Sequence, residues 1–466
     1  MKRHITEETI IFFSVIKWLI LSTIIGIMIG ALMSLFLKIL HGSVDAQNIF
    51  PFPYYFLLPF ALMFTVWIIN TFEKNATGHG TEKVIEAVHK KDGYINIKVV
   101  PIKLIATIVT IFSGGSVGKE GPGAQIGAGA ASFVATLFKF SKKDRKKLVI
   151  CGISAGFASI FGTPVAGAIF GIEVLIVGVI MYDVLLPSFI AGFVAFTTAQ
   201  VLGTTYPYYD INLYRAFEVD LTLIFQVVIA GIFFGLVSDS FITAVNKIEE
   251  WISKIDYNKY LKAFTTGLIM VIISYFLSDK YLGLGLDTIS DALDPSLSTA
   301  AADIHWYDFI LKTIFTSLTL GAGGSGGIIT PIFYVGTTSG TMFGHLIGDH
   351  ILLFSALGFV SVLAGTTNAP IASIIMAVEL FGVHMANYAG LSVVIAFLIT
   401  GHRSVFKSQQ IKLNKADNIT LSQGDDIEHT NLDMNMKDIE KVRRLKNRLK
   451  YKGIKWQVKN YKKYKD

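Results

Sequence analysis

A single cysteine, Cys151, stands in the 466-residue chain, so neither an internal disulfide nor a cysteine-built metal site can form. It sits in an apolar stretch and reads as a small packing residue. Charge is scarce as well. Charged residues make up 16% of the chain and hydrophobic ones 52%, where soluble domains carry about 25% charged residues. That balance excludes an ordinary soluble enzyme. It also excludes disorder, which needs low hydrophobicity and high net charge. No H-E-x-x-H motif occurs, nor any G-x-S-x-G with triad partners, so nothing supports an enzyme. No metal or cofactor is called for.

The formal net charge of +7 is uneven. Residues 437–466 hold thirteen Lys/Arg against three Asp/Glu, a local +10 that leaves −3 for the rest. The basic character is therefore a tail and not a nucleic-acid surface. Residues 411–436 are polar and read as a linker. The positive-inside rule puts the tail in the cytoplasm. There it can lie on anionic lipid or stay solvated, and the sequence leaves both open.

What the chain has in abundance is apolar runs. A helix needs roughly 20 apolar residues to cross a bilayer. Candidates lie at 10–40, 56–70, 97–112, 148–179, 185–202, 221–245, 264–277, 310–320, 332–346, 351–363 and 371–397. The chain is thus expected in the cell membrane as a multi-pass protein. The first run is too long for a signal peptide and has no cleavage site, so it reads as a retained span. Several runs are short or broken by some of the 42 Gly and 11 Pro. Broken backbone at membrane depth is tolerated where it is buried or lines a polar cavity, the usual setting of transporter ion sites.

The halves repeat. FGTPVAGAIFGIE (161–173) parallels TNAPIASIIMAVE (367–379), with Glu nine places after Pro in each. Upstream lie two Gly-rich loops ending in Pro, at 114–122 and 321–331. Repeats of about 8–205 and 217–410 follow. Sequence does not fix their relative orientation, but an inverted pair lets two helix N-termini meet from opposite sides.

Three loops open onto helix starts: Gly78-His79-Gly80-Thr81-Glu82, Gly118-Lys119-Glu120-Gly121-Pro122 and Gly326-Gly327-Ile328-Ile329-Thr330-Pro331. Pro favours the first helical turn. A helix N-terminus offers unpaired N–H donors and about half a positive charge, which suits an anion. Lys119 can raise the local potential. Glu120 is either a structural acid at a helix start or a gate whose carboxylate competes with the anion. A cation carrier would want converging carboxylates instead, and a passive scaffold would not need the broken helices. Glu173 and Glu379, at equivalent repeat positions, read as structural groups that cap or pair helices. Tyr334 is read as packing beside the third loop.

The second loop resembles the G-R/K-E-G-P motif of the CLC family of chloride channels and chloride/proton exchangers. The third resembles its G-G-x-F-x-P motif, with Ile329 in place of Phe. The segment from Ala155 to Glu173, Asn368 to Pro370 and Gly401 to Phe406 fall in the family's order, so the resemblance spans roughly 10–410. It implies an all-α membrane domain over 1–410, two inverted repeats of tilted and broken helices, and a homodimer with one pore per subunit. It makes Glu120 the gating glutamate. It also places His79, Gly80, Lys119, Gly121, Gly327, Ile328, Ile329 and Phe406 around the anion. The family's cytoplasmic CBS domains have no room after residue 410.

Three departures matter. His79 stands where the family's first loop has an anion-binding Ser, and Glu82 where it has Pro. Phe406 replaces the central Tyr. Val174 follows Glu173 where the exchangers place their internal proton-transfer Glu. A channel or weakly coupled chloride pathway is therefore the first expectation. The alternative is a chloride/proton antiporter with another relay, for which the imidazole of His79 is the candidate; equally, His79 can be a loop residue bonding backbone. Chloride is the expected ion by resemblance. The motifs do not single out the fluoride-specific branch, although backbone donors suit any halide.

Overall fold

A computed structural model describes residues 2–209, 221–256, 258–294, 304–416, 419–421, 426–428 and 432–434. The basic tail at 437–466 lies outside the described residues. The first half contains α1 (Lys2–Asp45), α2 (Leu58–Phe72), α3 (Thr81–Lys90), α4 (Val99–Phe112), α5 (Glu120–Leu137), α6 (Lys142–Phe161), α7 (Pro164–Glu173) and α8 (Tyr182–Val201). The second contains α9 (Leu221–Lys254), α10 (Lys259–Phe276), α11 (Leu286–Leu293), α12 (Asp308–Gly321), α13 (Ile329–Ile347), α14 (Ile351–Thr367), α15 (Pro370–Phe381) and α16 (Met385–Ile399). Among the described residues each repeat thus has eight helices in matching order. Among the described residues, five segments are long and apolar enough to cross a membrane: Thr6–Ile49, Tyr54–Phe72, Tyr182–Val201, Leu221–Lys254 and Lys259–Phe276. The protein is a multi-pass membrane protein, with further, mostly shorter helices between and after those spans.

The apolar run at 148–179 turns out to be a pair of helices, and the chain breaks in the same way between the runs at 351–363 and 371–397. Gly162 closes α6 in the left-handed region (φ 75°), and Pro164 starts α7 two residues later. Asn368 closes α14 at φ 57°, and Pro370 starts α15. A left-handed cap ends a helix, and the following Pro suits only the start of the next. The helices on either side pack closely. α5 crosses α6 where Gly127 meets the Gly152 carbonyl, and α13 crosses α14 where Gly336 meets that of Gly358. No side chain fits at either crossing.

The orientation of the repeats follows from hydrogen bonds. Glu173, ending α7, accepts from the N–H groups of Ile371 (3.0 Å) and Ala372 (2.8 Å) at the start of α15. Glu379 on α15 accepts from Val165 (3.0 Å) and Ala166 (2.8 Å) at the start of α7. Each helix caps the other, so the two lie antiparallel. A two-fold relating antiparallel helices runs across them, which makes the repeats inverted. The pairing role expected of these two acids is the one they fill. The linker segment holds more structure than expected. β2 (Gln410–Ile411) pairs in parallel with β1 (Ile176–Val177), and β3 (Ile419–Leu421) with β4 (Leu432–Met434) in antiparallel.

Candidate functional site

The second and third loops clasp each other. Gly118 N–H donates to the Gly327 carbonyl at 2.6 Å, and Gly327 N–H to that of Gly118 at 2.5 Å, forming a lone antiparallel bridge. A side chain at either glycine would strike the facing loop. The clasp brings the first turns of α5 and α13 together. Ile328 and Ile329, entering α13, are buried.

Glu120 is the first residue of α5, and its carboxylate crosses to the other repeat. Thr330 donates its N–H at 3.1 Å and its hydroxyl at 2.6 and 2.7 Å to the two oxygens. Glu120 is 2% exposed. The carboxylate thus occupies the N-terminus of α13, the kind of place a free anion would take. Lys119, the residue before it, lies within electrostatic range of Glu120 and of His41 at the end of α1.

The first loop joins from below α5. Gly80 caps α3 at φ 83°, and a β-carbon there would run into the Gly121 carbonyl. The carbonyl of His79 lies against Gly121 in turn. His79 faces Phe406 with ring centroids 5.6 Å apart, and Phe406 is fully buried. All eight residues expected around an anion therefore belong to one neighbourhood of three helix starts and one aromatic wall. The imidazole Nδ1 is buried without a protein partner. Lys83, Lys103 and Lys407 lie within electrostatic range of the ring. A protonated His79 would face three like charges.

Two lysines here escaped sequence reasoning. Lys103 on α4 is fully buried and donates to the carbonyls of Ala76 (3.2 Å) and Gly78 (2.5 Å), fixing the first loop from behind. Lys312 on α12 does the same for Tyr281 (3.1 Å) and Gly283 (2.9 Å). Each lysine precedes its bridging glycine, Gly118 or Gly327, by fifteen residues, a spacing that could have revealed the pair. Tyr334 is buried with the Lys312 ammonium 5.0 Å from its ring. Val174 is buried, and its carbonyl accepts from Gln409 at 2.7 Å. Glu82 accepts from Ser408 through both the N–H (2.9 Å) and the hydroxyl.

Chemically, the arrangement seats one carboxylate on the donors that open α13, without a hydroxyl at positions 79 and 406. A family model described as voltage gated chloride channel matches residues 60–401. A chloride/fluoride channel protein of Pseudomonas syringae pv. tomato is 33% identical over 406 residues, 86% of this chain and 87% of that one. The crystal structure of a CLC-type fluoride/proton antiporter aligns at TM-score 0.80 and 27% identity, over 86% of this chain and 99% of that one. A slow cyanobacterial Cl−/H+ antiporter aligns at TM-score 0.71 and 20% identity, over 82% of this chain and 94% of that one, a likeness of fold. The chain belongs to the voltage gated chloride channel (CLC) family.

Proposed function

We propose that the protein exchanges a halide, fluoride or chloride, for protons, with Glu120 as the gate. The observation that carries this reading is the Glu120 carboxylate seated on Thr330, across the clasp between the two repeats. A carboxylate held there must leave before an anion can bind, and a proton is the simplest agent of release. Neutralised, the side chain loses its attraction for the helix start, and the anion takes its place. Return of the carboxylate expels the anion and the cycle repeats.

Fluoride joins chloride because of the two relatives whose names carry it, one at 33% and one at 27% identity. His79 and Phe406, standing where the resemblance expects two hydroxyls, set this site apart from the chloride pattern that the resemblance implies. The active unit is taken as a homodimer with one pathway per subunit, its tail on the cytoplasmic face.

A passive channel is the second reading, favoured by Val174 in place of the proton-transfer Glu. Purified protein in liposomes separates the two. Exchange predicts that a halide gradient drives protons uphill and that the reversal potential depends on both ions. A reversal potential that follows the halide alone rejects exchange. Sodium flux with no halide flux rejects both readings.

A further inference from the structure

An exchanger needs an acid that carries protons between water and the gate, and the helix expected to provide one does not. Val174 has no proton to give. The neighbouring Glu173 has both oxygens committed to the N–H groups that open α15. Lys103 is committed to two carbonyls. His79 is hemmed in by Lys83, Lys103 and Lys407. One acid near the first loop is only half committed. Glu82, in the first turn of α3, binds Ser408 through Oε1, while its Oε2 is buried with no protein partner.

We infer that Glu82 is the proton-transfer residue on the tail side of the anion site. This rests on the exchange reading above. Three observations support it. The first is geometry of attachment. Ser408 lies two residues beyond Phe406, which faces His79. Two residues further on, Gln410 joins the strand pair that ties the chain to Ile176. Glu82 is therefore stationed between the site and the face from which the polar tail leaves. The second is the approach to the gate. Glu82 is two residues from Gly80, where a β-carbon would run into the carbonyl of Gly121, the neighbour of Glu120.

The third is the company of polar atoms. His79 Nδ1, Thr81 Oγ1 and Glu82 Oε2 are all buried without a protein partner, three such atoms within four residues. Buried polar atoms are nearly always satisfied, so a run of free ones marks a place for mobile partners. The charged groups facing the carboxylate are Lys83 on its own helix, Lys407 on the segment after α16, and Glu249 on α9. The lysines stabilise the ionised form, and Glu249 opposes it. With Oε1 anchored, Oε2 can gain and lose a proton without moving the backbone.

The transfer balances simply. A hydronium ion or buffer acid from the tail-side solution protonates Oε2 and leaves as water or conjugate base. The Glu82 acid then passes that proton on to the docked Glu120 carboxylate, and the neutralised side chain leaves Thr330. Glu82 becomes a carboxylate again, and Glu120 becomes the neutral acid.

The test uses the full chain in liposomes, with proton and fluoride fluxes read together under a fluoride gradient. Glu82→Gln is expected to lower the proton-to-fluoride flux ratio at least tenfold. Glu82→Asp, which keeps the acid, is expected to restore at least half of it. If wild-type protein couples protons and Glu82→Gln keeps that ratio within twofold, the assignment of Glu82 is overturned while exchange stands. If wild-type protein moves no protons under a fluoride gradient or a chloride gradient, both fall. Should Glu82→Gln carry no fluoride, Ser408→Ala decides, since it keeps the acid but removes its hydroxyl anchor. A displaced pH dependence of proton flux supports the assignment, and an unchanged one overturns it.

Discussion

Replacing Thr330 with Val isolates the contact on which the gate depends. The substitution keeps the shape of the side chain and the backbone N–H but removes the hydroxyl that reaches both Glu120 oxygens at 2.6 and 2.7 Å. A hydrogen bond to a charged group contributes roughly 1.5–3 kcal/mol, so about 2 kcal/mol of the docked state is lost. At 1.4 kcal/mol per factor of ten, the docking equilibrium weakens by about thirty-fold. As long as the docked state dominates, the anion competes directly with it, and the half-saturating halide concentration scales with docking. We predict that this concentration falls by about thirty-fold in Thr330→Val, read as initial halide flux from liposomes across a concentration series. Thr330→Ser keeps the hydroxyl and should stay within about threefold of wild type. A half-saturating concentration that is the same in Thr330→Val and wild type would refute competition between Glu120 and the anion, whatever the maximal flux does.

Two further predictions concern the framework. Glu173→Ala and Glu379→Ala each strip two charge-assisted bonds from a helix start, a cost of about 3 kcal/mol. Each should lower the apparent melting temperature in detergent by roughly 5 °C; two variants that melt like wild type would show that the reciprocal caps contribute little. Lys103→Met and Lys312→Met each leave two carbonyls unpaired and should destabilise alike. Only Lys103→Met should also weaken halide binding, by severalfold, because about 1 kcal/mol of favourable potential is lost behind the first loop. Equal halide affinity in the two variants would sink that distinction.

Much of this architecture was legible because it is written twice. Pro and Glu nine residues apart occur in both halves, and the structure turns that pattern into two helices capping each other. The break at 162–164 was less clear, since hydropathy ran straight through it, whereas 368–370 fell between two apolar runs. Only the left-handed cap before each Pro ends one helix and starts another. Contacts between distant segments were invisible. Nothing in the sequence says that Thr330 meets Glu120, or that Glu82 meets Ser408, 326 positions away.

The repeat also shows where to look for function, through its failures. Gly78-His79-Gly80-Thr81-Glu82 and Gly283-Leu284-Gly285-Leu286-Asp287 are equivalent loops: each leads into a short helix, and each is held from behind by a buried lysine. The glycines and lysines are kept because both loops need the same backbone path. His79 and Thr81 are matched by leucines, so the polar atoms of the first loop are not required by that path. Phe406 belongs to the segment after α16, beyond the eighth helix of the second repeat, and it closes the site on one side only. A symmetric frame has no preferred direction. The residues that break the symmetry, His79, Thr81 and Phe406 with its Ser408 neighbour, are therefore those able to make one entrance differ from the other. An exchanger that takes protons and anions by separate routes needs such a difference.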